Sequence, residues 1–290
     1  MTMMIRSMLT LPSALRLLAT TLALSLALQS KTVLAGETTK HNTPSLGCDT
    51  ENLSEKKLPP AIPFRVLAKY PHRRDAFTQG LQYHDAYLYE STGHYGQSRL
   101  SKIDMENGRI VLEKPLEVTL FGEGITLLNE SLYQLTWKSG TVLRYALSNF
   151  ALLATHGIAG ESWGLTSDGK QLISSDGSAT LTWRDPTTLQ ALTTRTVTYG
   201  SRPLRKLNEL EWVNNCLLAN IWGSTLIAVI DPDSGQVTAT LDVKRLLDYE
   251  RSKGRVDVAN GIAHRIVDGE LHLLVTGKNW GYIYEILPLH

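Results

Sequence analysis

The stretch FGEGITLLNESLYQLTW (residues 121–137) holds two β-rich runs in a fixed register: Gly124-Ile125 lies in the first, and Leu132, seven residues after Ile125, opens the second. The same small-then-aliphatic step recurs as Gly80-Leu81, Gly164-Leu165 and Gly261-Ile262, with Glu209-Leu210 filling the gap between the last two. The five aliphatic residues stand 40 to 52 residues apart. Leu88, Leu172 and Leu217 repeat the seven-residue interval, while Leu273 lies eleven residues after Ile262, beyond the turn Asp268-Gly269. Each unit runs on into a third strand ending in a turn signal, such as KIDMENG (102–108), TWRDPTTL (182–189) or AVIDPDSG (228–235). A fourth strand follows, such as RIVLEKPL (109–116) or QVTATLDV (236–243). Four strands in about 40 to 45 residues is the dimension of a propeller blade.

The fifth unit stops after its third strand, GYIYEI (281–286), whereas FRVLAKY (64–70) precedes the first unit and has no blade of its own. FRVLAKY is therefore expected to supply the missing fourth strand, which would join the chain ends and remove the exposed sheet edges. The fold reading is all-β, a five-bladed β-propeller over residues 63–290 closed by that N-terminal strand. A pair of β-sandwiches is the alternative, and it would not require five units in register. Only VKRLLDYERS (243–252) has a helical pattern. Charged stretches such as SRPLRKLNE (201–209) and EKPLE (113–117) read as solvated loops.

With 42% hydrophobic and 20% charged residues among 290, the chain has the composition of a soluble globular protein. Its 29 basic and 28 acidic residues leave a net charge of +1 and no Lys/Arg-rich cluster, so no long-range field exists to capture a nucleic acid. Arg6 and Arg16 precede the apolar run LLATTLALSLAL (17–28), and Val33, Leu34 and Ala35 fit a small-x-small cleavage site. Residues 1–35 therefore read as a signal peptide of a periplasmic or secreted protein. The run is shorter than the ~20 apolar residues of a spanning helix, so no stable membrane insertion is expected. SLGC (45–48) is separated from the run by polar residues and is not read as a lipoprotein site. Residues 36–62 are polar and proline-bearing, a tether or a surface-hugging arm. Cys48 and Cys216 are the two cysteines. An oxidising compartment would permit them to pair, and spacing alone leaves a disulfide and two unrelated thiols equally open. There is no CxxC, and the eight histidines form no HxH or HxxxH pair, so no metal or other cofactor is expected.

In a propeller the first strand of each blade lines the central channel, so equivalent positions form rings. Just before the small-aliphatic step stand Gln79, Glu123, Trp163, Asn208 and Asn260. Five residues after each second-strand leucine stand Gly93, Trp137, Gly177, Trp222 and Lys278. A purely structural ring would repeat similar residues. These positions instead mix a carboxylate, an ammonium, amides and three of the six tryptophans, which suits a pocket for a small organic ligand. Glu123 and Lys278 are open to a second reading, an ion pair stitching two blades. A lone buried pair is costly in desolvation and a weak source of stability, which favours chemistry.

Assembled, the motifs FTQGL (77–81), YESTGHYGQS (89–98), FGEGITLL (121–128), LYQLTWKSG (132–140), ESWGLTSDGKQLISSDGS (161–178), LNELEWVNNCLLANIW (207–222), VANGIA (258–263) and VTGKNW (275–280) resemble the plant and bacterial type of glutaminyl-peptide cyclotransferase, the papaya-like glutaminyl cyclases. The resemblance implies a zinc-independent five-bladed propeller, acting as a monomer on peptide or protein N-termini that begin with Gln. It implies Glu123, Asn208 and Lys278 as the catalytic residues, and Phe77, Gln79, Phe121, Trp137, Trp163 and Trp222 as substrate-binding ones. The reaction would turn an N-terminal glutaminyl residue into pyroglutamate with release of ammonia, Glu123 serving as general acid and base. Two other classes stay open on the residues alone: a propeller that only binds, and a metal-dependent lactonase-like propeller using Glu90, Asp176 and Asn260.

Overall fold

The computed structural model describes Leu46, Cys48 and residues 58–289. The apolar leader and most of the polar arm lie outside the described residues. Five four-stranded antiparallel sheets form the body, each running outward from an inner strand. The inner strands are Thr78–His84, Gly122–Leu128, Leu165–Ser167, Leu207–Val213 and Ala259–Val267. Each neighbours the next, and the fifth returns to the first, closing a ring of blades 1 to 5. The fifth sheet is completed on its outside by Phe64–Pro71, which pairs antiparallel with Tyr282–Pro288 from Phe64 opposite Pro288 to Pro71 opposite Tyr282. Alternation is plain in that strand, whose inward residues alternate with exposed ones.

The core lies between the blades, where aliphatic side chains of facing sheets interdigitate. The repeated residues explain the ring. Leu81, Ile125, Leu165, Leu210 and Ile262 are all buried, as are the second-strand leucines 88, 132, 172, 217 and 273. The small residue before each aliphatic one has a separate task. A Cβ at Gly164 would stand 1.9 Å from the Asn208 carbonyl oxygen, and one at Gly124 would stand 2.4 Å from the Leu165 nitrogen. Neighbouring inner strands thus approach through their bare backbones, a distance only glycine permits. Glu209 takes this position in blade 4, and its carboxylate crosses the axis to accept the amides of Leu81 at 3.3 Å and Ile262 at 2.8 Å. One side chain thereby ties blade 4 to blades 1 and 5.

The segment SRPLRKLNE is a correction to its reading as a solvated loop. Arg202–Pro203 pairs with Thr198–Tyr199 in a small ribbon, and Leu207, Asn208 and Glu209 are buried in the inner strand of blade 4. EKP of EKPLE likewise belongs to the outer strand Ile110–Pro115. Charge density misled in both cases, because one stretch carries the axial carboxylate and the other is an edge with one solvated face. The helix forms as Lys244–Lys253. It buries Leu246 and Leu247, and its buried Glu250 accepts the Gly281 amide at 2.9 Å and the Tyr284 hydroxyl at 2.8 Å.

Cys48 and Cys216 form a disulfide, with Cα atoms 5.7 Å apart, at the start of the second strand of blade 4. Residues Pro60 to Ile62 run along the outer strand Val237–Asp242 of the same blade, exchanging hydrogen bonds with Thr240. Among the described residues no helix is long and apolar enough to cross a membrane. Gly164→Ala is expected to destabilise the ring by about 3 kcal/mol, the upper end for overpacking against atoms that cannot move aside. A fall in the urea midpoint measures it; an unchanged midpoint would show that the blades have slack at the axis.

Candidate active site

The polar residues of the inner ring sit at breaks in the strand ladders. Blades 1, 2, 4 and 5 shift register between Thr78 and Gly80, Gly122 and Ile125, Leu207 and Leu210, and Ala259 and Ile262. A bulge re-aims the extra residue away from the pleat. The residues freed in this way include Gln79, Glu123, Asn208 and Asn260, gathered at one end of the channel.

Glu123 is 3% exposed. Its Oε1 accepts the Gln79 side-chain amide at 2.8 Å, and the Gln79 carbonyl in turn faces the Asn260 amide at 3.4 Å. Asn260 is fixed by a second donation to the Thr78 carbonyl at 3.0 Å. Burial pushes the Glu123 carboxyl well above the usual carboxylate range; Lys278 pulls it down in part, and Glu161 pushes it further up. Lys278 is similarly buried and, among the described residues, forms no ion pair. Its ammonium stands 4.5 Å from the centroid of the Phe77 ring, and burial lowers its proton affinity against the pull of Glu123 and Asp257. The blade-stitching ion pair is therefore not formed. The buried Asn208 side chain has an Oδ1 without a partner among the described residues, while its backbone carbonyl accepts the Ser175 hydroxyl at 2.7 Å. An unmet buried carbonyl costs about 1–3 kcal/mol, which a ligand could return.

Aromatic rings surround these groups. Phe77, Phe121 and Trp137 follow one another with centroids 6.3 and 5.5 Å apart, and Trp163 meets Trp222 at 6.3 Å. Trp222 is 44% exposed and stands at the rim. The two glycines of the outer ring now have a reason. A Cβ at Gly93 would fall 2.3 Å from the Phe121 ring, and one at Gly177 would fall 2.7 Å from the Trp163 ring. Phe121 of blade 2 thus fills the space left at Gly93 of blade 1, while Trp163 folds over Gly177 of its own blade.

These contacts link eight of the nine residues singled out from the sequence, with Glu161 between Trp137 and Trp163, while Asn208 is placed by its backbone carbonyl, which faces Gly164. Sequence reasoning missed Glu161, whose Oε2 accepts both the Trp137 indole N–H at 3.0 Å and the Trp163 indole N–H at 3.3 Å. Desolvation raises its carboxyl, but the Trp163 and Trp137 indoles and Lys138 together hold it below the ordinary range. Its only sequence signal was adjacency to SWG. His94 was missed as well; it lies against Phe77 at 4.1 Å and Phe121 at 5.8 Å. The lactonase-like set does not assemble. Glu90 is bound to His72 at 2.8 Å and Thr78 at 2.7 Å, and Asp176 caps the Ser178 amide at 2.8 Å. Among the described residues no three His, Cys, Asp or Glu side chains converge as metal ligands.

A five-bladed propeller with a buried acid and a buried ammonium at one mouth defines a class of enzymes acting on small polar groups in an aromatic pocket. The chain belongs to the glutamine cyclotransferase family, whose sequence pattern it matches over residues 40–287, and it is an enzyme of that family. It is 40% identical over 227 residues to the glutaminyl-peptide cyclotransferase of Arabidopsis thaliana, covering 76% of this chain and 70% of that protein. The crystal structure of Myxococcus xanthus glutaminyl cyclase matches with a TM-score of 0.74 at 32% identity, covering 80% of this chain and 100% of that one.

Gly93→Ala is expected to displace the Phe121 ring and the Gln79 side chain that steadies Glu123. Tryptophan fluorescence should change through Trp137, and turnover should fall with little loss of thermal stability. An unchanged spectrum would show that the ring does not depend on this gap.

Proposed function

We propose that the enzyme converts N-terminal glutaminyl residues of peptides or proteins into pyroglutamate with release of ammonia, using its own side chains without zinc. Family membership supports the activity, and the observation that carries the mechanism is the buried Glu123 carboxyl, raised in proton affinity and bonded only by an amide. In the reaction the substrate's α-amine attacks its own γ-carboxamide carbon, a C–N bond forms, and the bond to the departing nitrogen breaks. One proton must pass from the attacking amine to the leaving group. Glu123 delivers its proton to the leaving nitrogen and takes the one shed by the amine, ending as it began. A carboxyl raised by burial holds its proton where an ordinary carboxylate has lost it, and such general acid–base catalysis typically contributes ~10² to 10⁴-fold.

Lys278 and Asn208 are the donors for the negative charge that gathers on the γ-oxygen, each worth roughly 2.7 to 4 kcal/mol in comparable sites. Gln79 fixes the rotamer of Glu123. Phe77, Phe121, Trp137, Trp163 and Trp222 bend the substrate so that amine and carbonyl meet, and oriented intramolecular attack reaches effective molarities of ~10⁵ to 10⁸ M. The disulfide and the apolar leader support a periplasmic or secreted enzyme. The self-closed ring, which leaves few free sheet edges, supports a monomer.

Mass spectrometry of the purified mature protein, incubated with a Gln-initiated peptide with and without a chelator, tests the reading and reports the mature N-terminus. Loss of ammonia from the peptide should survive chelation. Glu123→Gln should lower turnover by about 10² to 10⁴-fold, and near-normal turnover in that variant would remove Glu123 from the mechanism. No conversion of any Gln-initiated peptide would favour a propeller that only binds.

The pH profile provides a separate check. Glu123 acts from its protonated form, so kcat/KM should fall at alkaline pH as that proton is lost, well above the ordinary carboxylate range. Lys278 favours the carboxylate, so Lys278→Met should move this limb to higher pH; Glu161 opposes it, so Glu161→Gln should move the limb lower. Shifts of the same sign in both variants would assign the limb to another group.

A further inference from the structure

The peptide beyond the first residue has to leave the pocket on one side. Toward blades 2 and 3 the mouth is walled by Trp137 and Trp163, both fixed by Glu161, whose other oxygen meets the Lys138 ammonium at 3.5 Å. Toward blades 1 and 5 it is open. A cleft of about 670 Å³ runs outward there, lined by Arg74, Phe77, His94, Arg255, Asp257 and Asn279 among others. It is continuous with the reaction centre, because Phe77 walls the cleft and also lies under the Lys278 ammonium, and Asn279 directly follows Lys278. The size falls within the roughly 300 to 1,000 Å³ of pockets that hold small ligands.

The charge of this cleft is uneven. Arg74 is held in place by Glu250 at 3.4 Å and lies so close to Gly281 that a Cβ there would meet its guanidinium at 2.6 Å. Arg255 is exposed and makes no ion pair among the described residues. The one carboxylate lining the cleft, Asp257, has its Oδ1 already accepting the Val258 amide at 2.8 Å. The strap bearing these residues is fixed to the site, since Asp257 N–H donates to the Lys278 carbonyl and Lys278 N–H donates to the Val258 carbonyl, both at 3.0 Å. Two guanidiniums thus line the cleft, one paired with Glu250 and one uncommitted, and each carries the planar fork of N–H donors that a carboxylate matches.

Resting on the cyclotransferase reading, we propose that this cleft is a subsite for the second and third residues of the substrate and that it selects peptides carrying an acidic side chain there. Arg255 and Arg74 are its specificity-determining residues, and they act on binding rather than on the proton transfer.

The test measures ammonia release from three tetrapeptide amides that begin with Gln and differ only in the second residue, Glu, Ala or Lys. Wild-type enzyme should favour Gln-Glu over Gln-Lys by about fivefold in kcat/KM, the scale of an exposed ion pair, with the difference carried in KM and shrinking at high salt. Arg255→Glu should reverse the order. Equal kcat/KM for all three peptides, or an order that survives Arg255→Glu, would overturn the subsite while leaving the cyclotransferase activity in place. No release from any of the three would overturn that activity and the subsite together.

Discussion

The structure depends on how closely five inner strands can approach one axis. Three glycines in succession, Gly80, Gly124 and Gly164, let backbone meet backbone from blade 1 through blade 4. In blade 4 a carboxylate replaces the glycine, and Glu209 spans to the amides of Leu81 in blade 1 and Ile262 in blade 5. Its burial raises its proton affinity well above a normal carboxylate, with the nearby Glu211 adding to the effect against the two amides. The axis is thus spanned by a polar bridge beside the buried ring residues, and charge interactions among such buried groups are strong.

The register shifts that place Gln79, Glu123, Asn208 and Asn260 have a cost in lost ladder hydrogen bonds, and the surrounding sheets supply the rigidity that tolerates it. The result is an arrangement that stability alone would not favour: a buried acid and a buried ammonium that do not pair, and an amide oxygen without a partner. Gln79 occupies one oxygen of Glu123, and the Phe77 ring lies against the Lys278 ammonium. Electrostatic preorganisation of this kind requires no reorganisation at the moment of reaction.

Much of this was legible because each blade repeats one register. The aliphatic and leucine positions carried the fold, and reading the same offset in every unit gathered Glu123, Asn208, Trp137, Trp163, Trp222 and Lys278 into two rings. Phe77 and Phe121 came from motif resemblance: both stand three residues before the small residue of the step, but blades 3 to 5 hold no aromatic at that offset. Glu161 was hidden because it lies in an irregular link, residues 158–164, that belongs to no strand. The bulges were hidden too: a one-residue slip leaves no mark in composition, and only backbone pairing reveals that the ring residues are the slipped ones. The Cys48–Cys216 pairing could not be deduced, because their proximity is created by the packing of Leu46 and Phe64 against blade 4.

The strand Phe64–Pro71 hydrogen-bonds to Tyr282–Pro288, so the first of the described strands finds its partner only in the last of them. Four blades can be laid down in order, each from local hairpins, yet none of the ring geometry is locked until the C-terminal strand arrives. Closure is therefore a late, long-range event with a large loop-entropy cost. A nascent chain halted anywhere before blade 5 would carry two unsatisfied edges and an inner ring lacking Asn260 and Lys278. The complete ring and edge protection appear in the same step, so a partly built molecule has neither.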